Sequence, residues 1–329
     1  MARQHSAALA WPQASAAWLA SPGLVASPGW RPPPDQAAGL RHLFGGEPSR
    51  RLRVLAVTGG GVGSGKSAIV AELARHAALA ARVLVLDQSA NEVARHAGVT
   101  VRHDLFDVVS GRLALDAVAV RSGDWRLLPA QRGLRKLFSA GSAGEELFCA
   151  FLRLREPVSL LLINLDDHAG AQPELTAAGG EVLLVITPGH AALTAAYARI
   201  KELAAAAARH RVHDAQGVHD AHGAHGAHGA HGAHAAPAVH CTIRVLVNGA
   251  THYADARRVF RVLFETARNF LDIEPVYAGF LPPQRSGLPF GCGRQAPLPA
   301  CEASLARLAA ALRSWRLPEY GLPETAALE

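Results

Sequence analysis

From residue 52 onward, short uninterrupted apolar runs alternate with longer stretches of helical period. Residues 52–58, 83–87, 125–128, 158–165, 182–187, 242–248 and 276–281 read as strands. The runs at 158–165 and 182–187 show no apolar–polar alternation, which is the pattern of strands covered on both faces. Residues 67–80, 254–270 and 303–317 read as helices. Strands alternating with helices predict an α/β fold over 52–317, a mostly parallel sheet flanked by helices.

The flanks and one insertion break this pattern. Residues 1–34 mix Ala, Ser, Trp and Pro, with Pro12 and Pro22 interrupting the apolar stretches, and read as an extension without fixed structure. Asp35 follows three prolines and suits a helix N-cap. Ala37, Leu40, Leu43 and Phe44 then share one helical face, and Gly45-Gly46 ends the segment, giving a short amphipathic helix over 35–46. Residues 209–240 are rich in His, Ala and Gly, with His-Gly-Ala repeating from His222 to His234. That period suits neither a helix face nor a strand, so a disordered insertion is expected, with metal binding by the His tract as the alternative. At 303–317, Leu305, Leu308, Leu312 and Trp315 form one stripe with Arg307 and Arg313 off it. Two readings stay open for it: a helix packed on the domain, or one docked on a membrane surface. Residues 318–329 read as a tail. No apolar run reaches the ~20 residues that span a bilayer.

Composition narrows the picture. Half of the 329 residues are apolar, enough for a sizeable core, and the net charge of +6 is compatible with an anionic membrane surface or nucleic acid, although most soluble proteins with such a balance bind neither. The basic residues are nearly all Arg; the lysines are Lys66, Lys136 and Lys201. A compact ammonium survives in such a composition where Arg cannot replace it, as inside a phosphate cradle. Cys149, Cys241, Cys292 and Cys301 show no paired spacing, and reduced thiols in the cytoplasm are expected.

Lys66 lies in such a cradle. Gly60, Gly61, Val62, Gly63, Ser64, Gly65, Lys66 and Ser67 fit GxxxxGK[ST] between a strand and a helix. Glycines let backbone N–H groups close round phosphate oxygens at a helix N-terminus. Lys66 is then the candidate partner of the β/γ-phosphates, and the Ser67 hydroxyl a candidate Mg²⁺ ligand for bound ATP. Asp87 and Asp166 close two strands beside the loop, and Asp166 is the candidate acid for Mg²⁺. Asn164 and Asp167 are rivals for that second role.

These residues resemble those of the MinD/ParA ATPases, and within them the flagellar-number regulators of the FlhG type, from residue 35 to about 317 outside the His-rich insertion. Asp166-Asp-His-Ala-Gly170 resembles the family's D-x-x-A-G switch II. Thr187-Pro188 and the stretch from Leu193 to Lys201 are similar to its TPE…LTDAYxxIK. Asn248 ends a strand resembling the one whose Asn reads adenine, and Tyr277-Ala-Gly-Phe-Leu-Pro282 resembles the strand near the base, placing Pro282 beside it. Asp35, Gln36, Leu40 and Arg41 lie in a segment similar to the DQAxxLR helix through which such proteins stimulate an SRP-type GTPase partner, FlhF. The resemblance thus implies ATP and Mg²⁺ as ligands, FlhF as partner, flagellar switch or basal-body proteins as further partners, an ATP-dependent homodimer, and a place in the cytoplasm or at the inner membrane or cell pole. It implies no nucleic acid. Two departures bear on catalysis. The signature lysine of the family's P-loop is replaced by Gly61, and the second Asp of its D-x-D switch I by Ser89. Binding with weak hydrolysis is therefore expected, with Lys66, Asp87 and Asp166 the candidate catalytic residues. A partition ATPase acting on DNA and a non-hydrolysing nucleotide-binding scaffold are the alternatives.

Overall fold

The computed structural model describes residues 52–139, 151, 157–166, 180–220, 241–284, 290, 298–315, 317 and 319–320; of 137–139, 207–220 and 319–320 it describes the backbone alone. The extension at 1–34, the helix expected at 35–46, most of the switch II segment and most of the tail lie outside these residues.

The apolar runs form the strands they predict. In chain order the elements are β1 (Leu52–Gly59), α1 (Lys66–Ala77), β2 (Val83–Asp87), α2 (Glu92–Ala97), α3 (Leu105–Val109), α4 (Leu115–Val118), β3 (Val120–Ser122), β4 (Trp125–Pro129), α5 (Gln131–Ser139), β5 (Leu160–Asn164), β6 (Glu181–Ile186), α6 (His190–Asp220), β7 (Thr242–Asn248), α7 (Tyr253–Leu271), β8 (Val276–Leu281), α8 (Pro299–Ala311) with a 3₁₀ turn at Leu312–Ser314, and β9 (Glu319–Tyr320). The main strands form one sheet in the order β3-β4-β2-β5-β1-β6-β7-β8. All neighbours from β4 to β8 are parallel; β3 pairs antiparallel with β4, and β9 with the start of β1.

Both faces of the sheet are covered, which is why its central strands carry apolar residues at every position. Leu52, Val54 and Ala56 of β1 pack with Leu84, Leu86, Leu161 and Ile163 under α3, α5, α6 and α7. Leu55 and Val57 pack on the opposite face with Val83, Val85 and Leu162 under α1 and α8. Leu305, Leu308, Leu312 and Trp315 all lie in this second cluster. The stripe that left two readings open is therefore packed on the domain, and the membrane reading of 303–317 loses its apolar surface.

One boundary differs from expectation. α6 continues through Asp220, into the segment read as insertion from 209. Residues 201–216 hold Ala, Arg, Glu and Gln, strong helix formers that contain no Gly, so helical propensity carries past the onset of the His-rich composition. Residues 221–240 lie outside the described set. Among the described residues, no helix is long and apolar enough to cross a membrane.

Candidate functional site

Because β1, β2, β5, β6 and β7 run parallel, their C-terminal ends share one edge of the sheet, where α/β folds gather ligand groups. The register sets Asp87 of β2 beside Asn164 of β5, and Asn164 beside Val57 of β1. The glycine-rich loop leaves β1 at this edge and turns into α1. Asn248 ends β7 next to it.

The loop closes tightly on its neighbours. Gly65 caps α1 at φ 77°, and a Cβ there would stand 1.8 Å from the Phe290 carbonyl oxygen and 2.6 Å from Asn248 Nδ2, so glycine is obligatory. The start of α1 has no side-chain cap and no acidic residue in its first turn, which leaves backbone N–H groups for an anion. Lys66 is buried at 6 % exposure, and its Nζ donates to the Leu165 carbonyl at the end of β5. Val62, by contrast, stands out at the tip of the loop. Gly61 adopts φ 130°, a conformation that L side chains rarely take. A side chain at this position would be strained on this backbone.

Below the loop is a buried polar network. Ser67 donates from Oγ to Glu92 Oε2 at 2.8 Å and receives Asn164 Nδ2 at 3.3 Å. Asn164 Nδ2 also reaches Asp87 Oδ1 at 2.8 Å, while its Oδ1 is buried without a partner. Asp87 accepts in addition from the Ser89 hydroxyl at 2.6 Å and the Ser89 N–H at 3.0 Å. Burial pushes the Asp87 carboxyl above the usual range, and the Ser89 and Asn164 donors offset part of that rise. Asp166 follows β5, and its backbone N–H donates to Gln88 Oε1 at 3.0 Å.

The structure thus gathers Gly60 through Ser67, Asp87, Asn164, Asp166 and Asn248 at one edge. Asn248 is fully buried and its amide is occupied: Nδ2 donates to the Ser64 and Phe290 carbonyls, each at 2.8 Å, and Oδ1 accepts from the Phe290 N–H at 3.0 Å. In this conformation it ties the P-loop to Phe290. The Pro282 carbonyl accepts from Cys301 Sγ at 3.3 Å, below α8. Asp35, Gln36, Leu40, Arg41 and Asp167 lie outside the described residues. Sequence reasoning missed Glu92, Gln88 and Phe290. Each acts through a contact made across the fold, and no motif marks it.

A phosphate and a divalent cation fit these groups. The uncapped helix start, the left-handed glycines and the buried ammonium suit phosphate oxygens. The orphaned Asn164 oxygen beside Ser67 suits a donor such as a metal-bound water. Among the described residues, no group of three or more His, Cys, Asp or Glu side chains forms a ready protein-only metal cage.

Comparison with known proteins shows what the chain is similar to. The chain is 29% identical over 280 residues to the antiactivator FleN of Pseudomonas aeruginosa, covering 81% of this chain and 88% of FleN. The solved ParA family ATPase of Chlorobium tepidum superposes with a TM-score of 0.51 at 17% identity, covering 80% of this chain and all of that one. The cobyrinic acid a,c-diamide synthase of Mycobacterium smegmatis, solved with a bound ATP analogue and magnesium, gives 0.52 at 19% identity over 82% of this chain and 99% of its own. No family model matches. The resemblance read from the motifs holds: the fold is of the MinD/ParA P-loop type and the sequence is FleN-like.

Proposed function

We propose that this MinD/ParA-type, FleN-like chain binds ATP with Mg²⁺ and regulates flagellar number or placement. The observation that carries the nucleotide reading is Lys66, a lysine buried on a glycine loop at an uncapped helix start. An ammonium is buried at such cost where an anion is to be met. Lys66 and the backbone N–H groups of the loop would hold the phosphates, and Ser67 with Asn164 would face the cation. Bound Mg²⁺ would neutralise charge on the β- and γ-phosphates. The similarity to FleN over most of both chains supports the flagellar part of the reading.

Hydrolysis is expected to be weak. Ser89 offers a neutral hydroxyl where the resemblance calls for a carboxylate, and that hydroxyl is turned towards Asp87. Gly61 contributes no ammonium across a dimer. The chain therefore acts as a nucleotide-dependent binding protein more than as a fast enzyme.

The partner reading rests on residues 35–44. A face of Ala37, Leu40, Leu43 and Phe44 is too short for a helix stable alone, since isolated helices under ~12 residues are marginal in water. Such a segment suits folding into a partner's groove. A peptide of residues 33–46 should stimulate GTP hydrolysis by an SRP-type GTPase such as FlhF, and Gln36→Ala or Leu40→Ala should weaken it. No binding and no stimulation would remove FlhF from the account and leave the nucleotide reading standing.

One observation favours a second reading. α7 exposes Arg257, Arg258, Arg261 and Arg268, with Arg258 and Arg268 set against Asp255 and Glu274, and a DNA-acting partition ATPase would need basic residues of this kind. DNA affinity that falls steeply with salt and is lost in a four-fold Arg→Ala variant would favour it over the flagellar reading.

A further inference from the structure

The acids beneath the P-loop are not equally available. Asp87 is closed off: Oδ1 accepts from Ser89 twice and from Asn164, and Oδ2 faces the Val93 N–H at 3.3 Å. It is 1 % exposed. Ser89 in turn receives the Glu92 N–H at 3.2 Å, so its hydroxyl belongs to the turn that starts α2. Neither group can face a ligand above Ser67 without dismantling that turn.

Glu92 is different. It opens α2, its side chain is half exposed, and Oε2 already accepts the Ser67 hydroxyl proton at 2.8 Å. The backbone reaches this place through Asn91 at φ 61°, a left-handed residue that turns the chain back towards the loop. Glu92 Oε1 lies 3.5 Å from the exposed Arg95, a contact that solvent weakens. A second, independent observation comes from the same hydrogen-bond network. Asn164, fully buried and 3.3 Å from Ser67 Oγ through Nδ2, keeps its Oδ1 without any partner.

We propose that Glu92 supplies the carboxylate that orients Ser67 towards a nucleotide-bound Mg²⁺, acting on the cation through the Ser67 hydroxyl and water. The proposal rests on the nucleotide reading. When Ser67 turns a lone pair to the cation, its proton still needs an acceptor, and Glu92 Oε2 is in position. The negative charge adds attraction for the cation, and Asn164 Oδ1 would accept a hydrogen bond from a water in its shell. Glu92 is a positioning residue here, acting on the cation through Ser67 and water.

The test uses the full chain and a fluorescent ADP analogue, with Mg²⁺ titrated from excess EDTA. Glu92→Gln keeps an acceptor for Ser67 and removes the charge, so a structural role would survive it. The Gln variant should bind the analogue in EDTA as the parent does, keep its thermal midpoint, and need about tenfold more Mg²⁺ for half-saturation. Glu92→Asp should recover most of that loss. The same Mg²⁺ requirement as the parent, within about twofold, would overturn the proposal. So would weakened binding in EDTA together with a lowered midpoint, which would mark Glu92 as structural. If the parent binds no nucleotide with or without Mg²⁺, the nucleotide reading itself falls and takes this proposal with it.

Discussion

The Arg244 guanidinium lies 4.4 Å from the centre of the Trp315 ring while it grips Glu181 at 2.7 and 2.9 Å. Arg53 adds bonds to the Leu312 and Trp315 carbonyls from β1. Two strands thus fasten the end of the C-terminal helix to the sheet through arginines whose charge is matched or spread over an aromatic face. Trp315 completes the core here, together with Leu305, Leu308 and Leu312.

The C-terminal stripe should therefore register in stability. Leu305→Ala or Leu308→Ala should each lower the free energy of unfolding by roughly 2–5 kcal/mol, the usual range for a buried leucine. Denaturant titration measures this, and vesicle sedimentation run beside it gives the contrast. Unchanged stability with lost vesicle binding would return the stripe to the membrane.

This helix also marks a limit of sequence reading. Its period identified the apolar face, yet the partner of that face is a property of the fold, supplied by α1 and Arg244. The sheet was legible because strands buried on both faces write themselves as unbroken apolar runs. The P-loop was legible because its chemistry demands fixed types at fixed spacing. Glu92 was not, since it meets Ser67 across 25 residues in a polar stretch without motif. Asn248 was recognised as part of the site, but its tie to Phe290, 42 residues away, is a backbone contact that no side-chain pattern encodes. The short helices α2, α3 and α4 are of 6, 5 and 4 residues, too brief for a periodic signal. At α6 composition misled, because a His-rich stretch beginning among alanines remains a good helix.

The buried Asp87 predicts a pH signature. Its carboxyl is raised above the unfolded value, so its contribution is fully present below the ordinary carboxylate range and is lost as pH rises through the folded value. Asp87→Asn should lag the parent most at acid pH and close the gap as pH rises above the ordinary carboxylate range. Ser89→Asp should do the reverse, because a second carboxylate would stand against Asp87 where the Ser89 hydroxyl now donates at 2.6 Å. Thermal scans across that range check both; pH-independent differences would contradict the burial argument.

The His-rich segment should be dispensable for the fold. Deleting residues 215–236, the end of α6 and most of the connection to β7, should leave the thermal midpoint and nucleotide affinity nearly unchanged, since the length of a connection alters closure entropy by only about 0.6 kcal/mol per doubling. Circular dichroism melts and the nucleotide titration read the outcome. A variant that fails to fold would show that this stretch packs on the domain.

Nucleotide binding by the purified full chain, titrated calorimetrically with a slowly hydrolysed ATP analogue and Mg²⁺, tests the central claim most directly. One site per chain is expected, with affinity in the micromolar range or tighter. Lys66→Ala should weaken it by about 100-fold while the fold persists, because the phosphates lose their main charged donor. A parent that releases no heat with any adenine nucleotide, or a Lys66→Ala variant that binds as tightly as the parent, would contradict the assignment of the cradle.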